Sequence, residues 1–128
     1  KVGQNCFCSD TTRDFLDISD FFTLMDQVLR NDAPTGVFNV STGEGRSIHD
    51  VFLAVANYLS IAPPDVPVVA PGADDVPHVV LNPTATQSTF GWSAQVGFED
   101  TIANQLRWYD QYGITDIFSH LAAPSPGA

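Results

Sequence analysis

Prolines and glycines cut this chain into short lengths, and that is the strongest limit on what it can fold into. Breaks fall at Asn31-Asp32-Ala33-Pro34, at Pro63-Pro64, through Ala70-Pro71-Gly72-Ala73-Asp74-Asp75, at Asn82-Pro83, and at Gly91 and Gly113. Proline fixes φ, removes an amide donor and drives the residue before it out of the α region, so helices and central strands stop at such points. The elements between the breaks are therefore short. With 128 residues and 44% hydrophobic content, they must share one modest core in a single domain.

Periodicity assigns types to those lengths. After Ser19, read as an N-cap, the apolar stripe Phe21, Phe22, Leu24, Met25, Val28 and Leu29 predicts a helix ending near Arg30. Ser47 and Asp50 have capping-box spacing, and Ile48, Val51, Phe52, Val55 and Leu59 recur on one face, so a second helix follows and ends before Pro63. Asn82-Pro83, with Pro83 at the first helical position and Gly91 as a stop, frames a short third helix. A longer fourth runs from Phe98 to Tyr112, with Ile102, Leu106 and Tyr109 inward, Glu99 and Asp100 at its positive end, and Gly113 as terminator. Strands are expected at Cys6–Cys8, Arg13–Ile18, Val37–Val40, Val66–Val69 and Val76–Leu81. The pattern is α/β, with short strands and about four helices.

Fifteen acidic residues against five Lys plus Arg leave a net charge of −10. That charge repels phosphate backbones and anionic lipid, which argues against nucleic acid or membrane partners. No apolar run approaches the ~20 residues that span a bilayer, and Lys1-Val2-Gly3-Gln4 lacks the apolar core of a signal peptide, so a cytoplasmic location is expected. Cys6 and Cys8, at i and i+2, are poorly placed for a disulfide. His49, His78 and His120 are too scattered to suggest a metal site.

Few residues carry recognisable chemistry. Gly43-Glu44-Gly45-Arg46-Ser47-Ile48 precedes a helix as a dinucleotide-binding turn does, but its third position is Ile48, so a plain strand-to-helix turn is the better reading. Arg13 stands among carboxylates. It either pairs with Asp10, Asp14 or Asp17, or offers its planar fork to phosphate oxygens. Trp92, Trp108 and Tyr109 read as core residues rather than a sugar-stacking platform. Lys1 is the sole lysine, so Tyr58, Tyr109 and Tyr112 have no lysine four residues on to lower a phenol's pKa for proton transfer.

Four stretches in order carry a resemblance: Thr12-Arg13-Asp14-Phe15-Leu16-Asp17-Ile18-Ser19-Asp20, Val37-Phe38-Asn39-Val40-Ser41-Thr42-Gly43-Glu44-Gly45, Asp75-Val76-Pro77 with Asn82-Pro83, and Phe90-Gly91-Trp92. From about Gly3 to Leu121 the chain resembles the C-terminal half of extended short-chain dehydrogenase/reductases. It looks closest to NAD-dependent nucleotide-sugar epimerases and dehydratases, especially bacterial ones serving surface-polysaccharide synthesis. The resemblance implies that NAD and a Tyr-x-x-x-Lys pair belong to an N-terminal Rossmann half, while residues like these close over the nucleotide sugar. No catalytic, cofactor-binding or metal residue is then expected in this chain.

By the same resemblance Arg13 matches a diphosphate-binding arginine, Cys6-Phe7-Cys8 lies where the backbone passes the nucleobase, and Asp75 matches an acid that accepts from ribose hydroxyls. The chain departs from the family in having no second arginine within Ala70–Asp74. Cys6 and Cys8 also read as buried small residues, and Asp75 as a turn cap. Residues 1–121 are thus expected to form a nucleotide-sugar-binding domain, with 122–128 as a loose tail. Alternatively, the fold serves as a non-catalytic interaction domain. The helix at Asp20–Arg30 and the strand at Val37–Val40 resemble elements that pack on the Rossmann half, so self-association or a Rossmann-domain partner is expected to cover them. A truncated piece of an ordinary enzyme would have the same sequence.

Overall fold

The computed structural model describes residues 7–30, 32–63 and 65–113. Cys6 and the tail at 122–128 lie outside the described residues. In chain order the elements are β1 (Cys8–Ser9), β2 (Thr12–Asp14), α1 (Ile18–Val28), β3 (Gly45–Ser47), α2 (Ile48–Tyr58), β4 (Val68–Val69), β5 (His78–Val79), α3 (Thr84–Phe90) and α4 (Phe98–Tyr112). The fold is α/β with four helices and two small sheets among the described residues.

β1 and β4 pair in parallel, Cys8 with Val68 and Ser9 with Val69. The ladder continues past both ends through bonds from Cys8 N to Pro67 O and from Asp10 N to Val69 O, each 2.9 Å. The second sheet has the order β3-β2-β5, antiparallel between β2 and β3 and parallel between β2 and β5. Gly45 makes this sheet possible. A Cβ there would meet Thr12 Cγ2 at 2.5 Å and Val80 Cγ2 at 2.8 Å, so a side chain would force the strands apart.

Helix boundaries follow local capping chemistry. α2 starts at Ser47 with the expected reciprocal box: Asp50 N donates to Ser47 Oγ (3.0 Å) and Ser47 N to Asp50 Oδ2 (2.8 Å). These bonds, from the Ser47 amide first and then its hydroxyl, hold the Asp50 carboxyl below its ordinary pKa. Gly91 ends α3 in the left-handed region at φ 60°, and Gly113 follows α4, which has the predicted span.

Several expectations are corrected. α1 is capped by Asp17, not Ser19; Asp17 Oδ1 accepts from Ser19 N at 2.8 Å, so the strand expected to reach Ile18 ends at Asp14. Aspartate caps as well as serine does, and here the Ser19 hydroxyl itself donates to Asp17 Oδ1 at 2.6 Å. Pro83 is the cap of α3 rather than its first residue, and Asn82 Oδ1 accepts from Thr84 N at 2.9 Å. Residues 37–40 form no strand. Val37 is 99% exposed, and β-propensity yields only extended chain when no neighbouring strand supplies a ladder.

The core is small: Leu24, Ala56, Val66, Trp92 and Phe98 are buried, with Leu24 at 1% exposure. Its polar hinge is Asp20, also buried, whose Oδ2 accepts from Gln95 N and Val96 N at 2.9 Å each. Trp92 Nε1 donates to Asp20 O and Thr23 Oγ1, both at 3.0 Å, which ties the turn before α4 to α1. α2 and α4 are joined at their far ends by Tyr58 Oη donating to Asp110 Oδ2 at 2.8 Å. That bond to a carboxylate raises the phenol's pKa.

Candidate functional site

The site is built on β2, the central strand of the larger sheet. Arg13 pairs with Arg46 on one side and Val79 on the other. Its Nη1 donates to its neighbour Thr12 O (2.8 Å) and across to Val76 O (2.9 Å). These carbonyl bonds anchor the guanidinium without neutralising it. Among the described residues the ion pair is Arg46 with Glu44, at 3.2 Å, and Arg13 has no carboxylate partner.

The neighbouring carboxylates are occupied elsewhere. Asp14 Oδ1 accepts from Thr42 N (2.9 Å) and Thr42 Oγ1 (2.7 Å), and Oδ2 accepts from Gly43 N (2.9 Å). Gly43 sits at φ 81°, a conformation suited to glycine, which turns both amides toward the acid. For Asp17, burial by itself would raise the carboxyl's pKa, but bonds from the Asn104 amide and from Ser19 outweigh it and leave the group below its ordinary value.

Asp75 is brought close through the bond to its neighbour's carbonyl, Val76 O. It closes a turn: Gly72 N donates to Asp75 Oδ2 (2.9 Å) and Asp75 N to Gly72 O (3.1 Å). Its side chain therefore caps the turn while lying exposed beside the Arg13 strand. Cys8 is a buried free thiol, whereas Phe7 is 65% exposed. Cys6 lies outside the described residues. The structure thus gathers Arg13 and the Asp75 turn at one edge of β2 and places Cys8 on the other sheet, with Phe7 just before it.

Two concavities flank β2. A groove of about 810 Å³ runs between the β2–α1 connection and α4, lined by Phe15, Leu16, Ile18, Ile102 and Trp108 among others. Trp108, expected in the core, is 48% exposed here, while Trp92 is buried as expected. A smaller cleft of about 250 Å³ includes Phe15, Thr42, Arg46, Gln95 and Phe98. Arg46 lies over the Phe98 ring at 5.3 Å from its centroid. In the sequence Arg46 is only part of a turn motif; its placement opposite Arg13 has no local signal.

The glycine-containing motif at 43–48 is a strand-to-helix turn. Residues 45–47 of the glycine-containing motif are strand β3, and the Thr42 and Gly43 amides are already bonded to Asp14, so no free amide cradle faces a pyrophosphate. No group of three or more His, Cys, Asp or Glu able to hold a metal occurs among the described residues, and none of their helices is long and apolar enough to cross a membrane.

Comparison with solved structures supplies the family. The chain is 65% identical to the Bordetella bronchiseptica enzyme WbmG in complex with NAD, with a TM-score of 0.81, covering 94% of this chain and 38% of that one. Against WbmG in complex with NAD and UDP the identity is 63% and the TM-score 0.82, with the same coverage. The UDP-glucose 4-epimerase of Thermus thermophilus in complex with NAD is 27% identical, with a TM-score of 0.66 over 86% of this chain and 33% of that one. No protein-family model and no curated protein matches the sequence. The chain belongs to the NAD-dependent nucleotide-sugar epimerase/dehydratase family of extended short-chain dehydrogenase/reductases. It spans 38% of the length of WbmG.

Proposed function

We propose that these residues form the nucleotide-sugar-binding side of an NAD-dependent epimerase or dehydratase acting in bacterial surface-polysaccharide synthesis. Arg13 takes the diphosphate, Asp75 accepts from the ribose hydroxyls, and the chain at Phe7 and Cys8, with Cys6 before them, runs beside the base. The observation that carries this reading is 63% identity, over 94% of the chain, to an enzyme whose structure holds NAD and UDP. An arginine anchored on carbonyls, with no carboxylate partner among the described residues, supports it. Hydride and proton transfer are assigned to no residue here, since a sole lysine at position 1 excludes a Tyr-x-x-x-Lys pair from the chain.

Thermal melting of the 128-residue chain in millimolar UDP or UDP-sugar should raise Tm, and Arg13→Ala should abolish the shift. A wild-type melting curve indifferent to these ligands would sink the proposal.

A second reading, an interaction or oligomerisation domain, is favoured by one observation. Ile18 (62%), Phe22 (63%), Leu29 (80%) and Val37 (99%) leave α1 and the segment after it bare and apolar. Sedimentation at high concentration tests it: a compact monomer contradicts association through this surface.

A further inference from the structure

The ladder between β2 and β3 sets Arg13 directly opposite Arg46. Residues so opposed share one face of the sheet, with Cβ atoms about 5 Å apart, and like charges placed there destabilise the pair. Arginine is scarce in this chain: the five Lys plus Arg stand against fifteen acids. Two of the few cations are nonetheless set against each other, and among the described residues no carboxylate forms an ion pair with both. Asp14 is committed to Thr42 and Gly43, and Glu44 meets Arg46 from a side chain that is 70% exposed. An exposed pair of that kind contributes about 0–1 kcal/mol.

Arg46 is also held by aromatic contact. Its guanidinium lies over Phe98, and Phe98 is fixed edge-on against Phe15, with ring centroids 5.6 Å apart. The ring face attracts the guanidinium's charge without using its N–H groups, of which Nη2 donates to Glu44 Oε2 at 3.2 Å. The small cleft lined by Phe15, Thr42 and Phe98 opens beside it.

We propose that Arg46 is a second phosphate ligand, acting with Arg13 on the diphosphate of the nucleotide sugar. The assignment rests on the nucleotide-sugar reading above and deepens it by naming where the second positive charge comes from. A diphosphate presents more anionic oxygens than one planar fork can meet, and a second guanidinium adds charge-assisted bonds. Arg13 keeps Nη1 on the Thr12 and Val76 carbonyls and directs the rest of its fork to the ligand. Arg46 exchanges the exposed Glu44 carboxylate for phosphate, and the bound anion relieves the repulsion across the ladder. The 70–75 loop brings Asp74 and Asp75 and no cation, so β3 supplies what that loop lacks.

Calorimetric titration of the 128-residue chain with UDP and with UMP separates the possibilities. Arg46→Gln should weaken UDP about tenfold and UMP less, with Tm unchanged, the loss expected of one charge-assisted bond. Arg46→Lys should recover part of the UDP affinity, and Glu44→Gln should tighten UDP by freeing the guanidinium. Unchanged UDP affinity in Arg46→Gln, where Arg13→Ala still abolishes binding, overturns this assignment and leaves the nucleotide-sugar reading standing. Equal losses of UDP and UMP with a lowered Tm overturn it as well, since that is a structural role. Failure of the wild-type chain to bind UDP overturns the underlying reading and this inference with it.

Discussion

The seam where β2 meets residues 41–47 and the outer face of α1 obey opposite rules. In the seam Asp14 is the acceptor hub, as Asp17 and Asp20 are on the inner side of α1, and no buried side-chain polar atom among the described residues lacks a partner. On the outer face Ile18, Phe22 and Leu29 stand in the open, and Val37 beyond them is almost wholly exposed. The seam is complete by its own chemistry, since paired donors and acceptors need nothing further. The apolar face is not, because water is a poor neighbour for it and only another surface relieves that. The position of Arg13 on the seam side explains how a cation can stay available in so acidic a chain: the nearest carboxylates are spent on backbone amides.

Substitutions that cross from one region to the other test this contrast. The largest effect belongs to Leu24→Ala, on the buried face of α1, which should cost about 3 kcal/mol in urea unfolding, whereas Leu29→Ala at the end of the same helix should change stability by less than about 0.5 kcal/mol. Similar losses at both positions would mean the outer face is buried in solution. Asp20→Ala should come next, at about 2 kcal/mol, because the Gln95 and Val96 amides lose their acceptor in a buried place.

A smaller effect depends on pH. The Asp17 carboxyl is held below its ordinary value of 3.8, so its contribution is fully present above that value and is lost as pH falls through the lower, folded one. Asp17→Asn should lower stability at pH 7, where the charged group contributes in full, and should flatten the acid limb below about pH 4, where the variant and wild-type curves converge. A variant curve parallel to wild type across that range would show that the cap, not the charge, matters. The smallest effect on stability is expected from Phe22→Asp with Val37→Asp, within about 0.5 kcal/mol, while any self-association seen by sedimentation should disappear.

Legibility in the sequence follows range. The α2 capping box at Ser47 and Asp50, the full span of α4 and the stops at Gly91 and Gly113 are readable because each rests on residues within one turn of each other. Ser19 reads as the cap of α1 in place of Asp17 because two competent oxygens stand close together, and residues 37–40 read as a strand because extended preference says nothing about a partner. Within the site, Arg13 and Asp75 are readable as residue types, but that Val76 links them is not. Arg46 looks like part of a turn.

What the sequence determined alone was the set of short helices, most of their ends, the acidic balance and the absence of a Tyr-x-x-x-Lys pair, all of which follow from neighbours along the chain or from counting. What only the tertiary structure decided was which charges meet: Asp14 with Thr42 and Gly43, Asp20 with the amides 75 and 76 positions away, and Arg13 with Arg46 across a ladder. Caps and breaks act through backbone geometry a few residues wide, whereas a pairing across strands exists only after the chain has closed and its register has been chosen by packing.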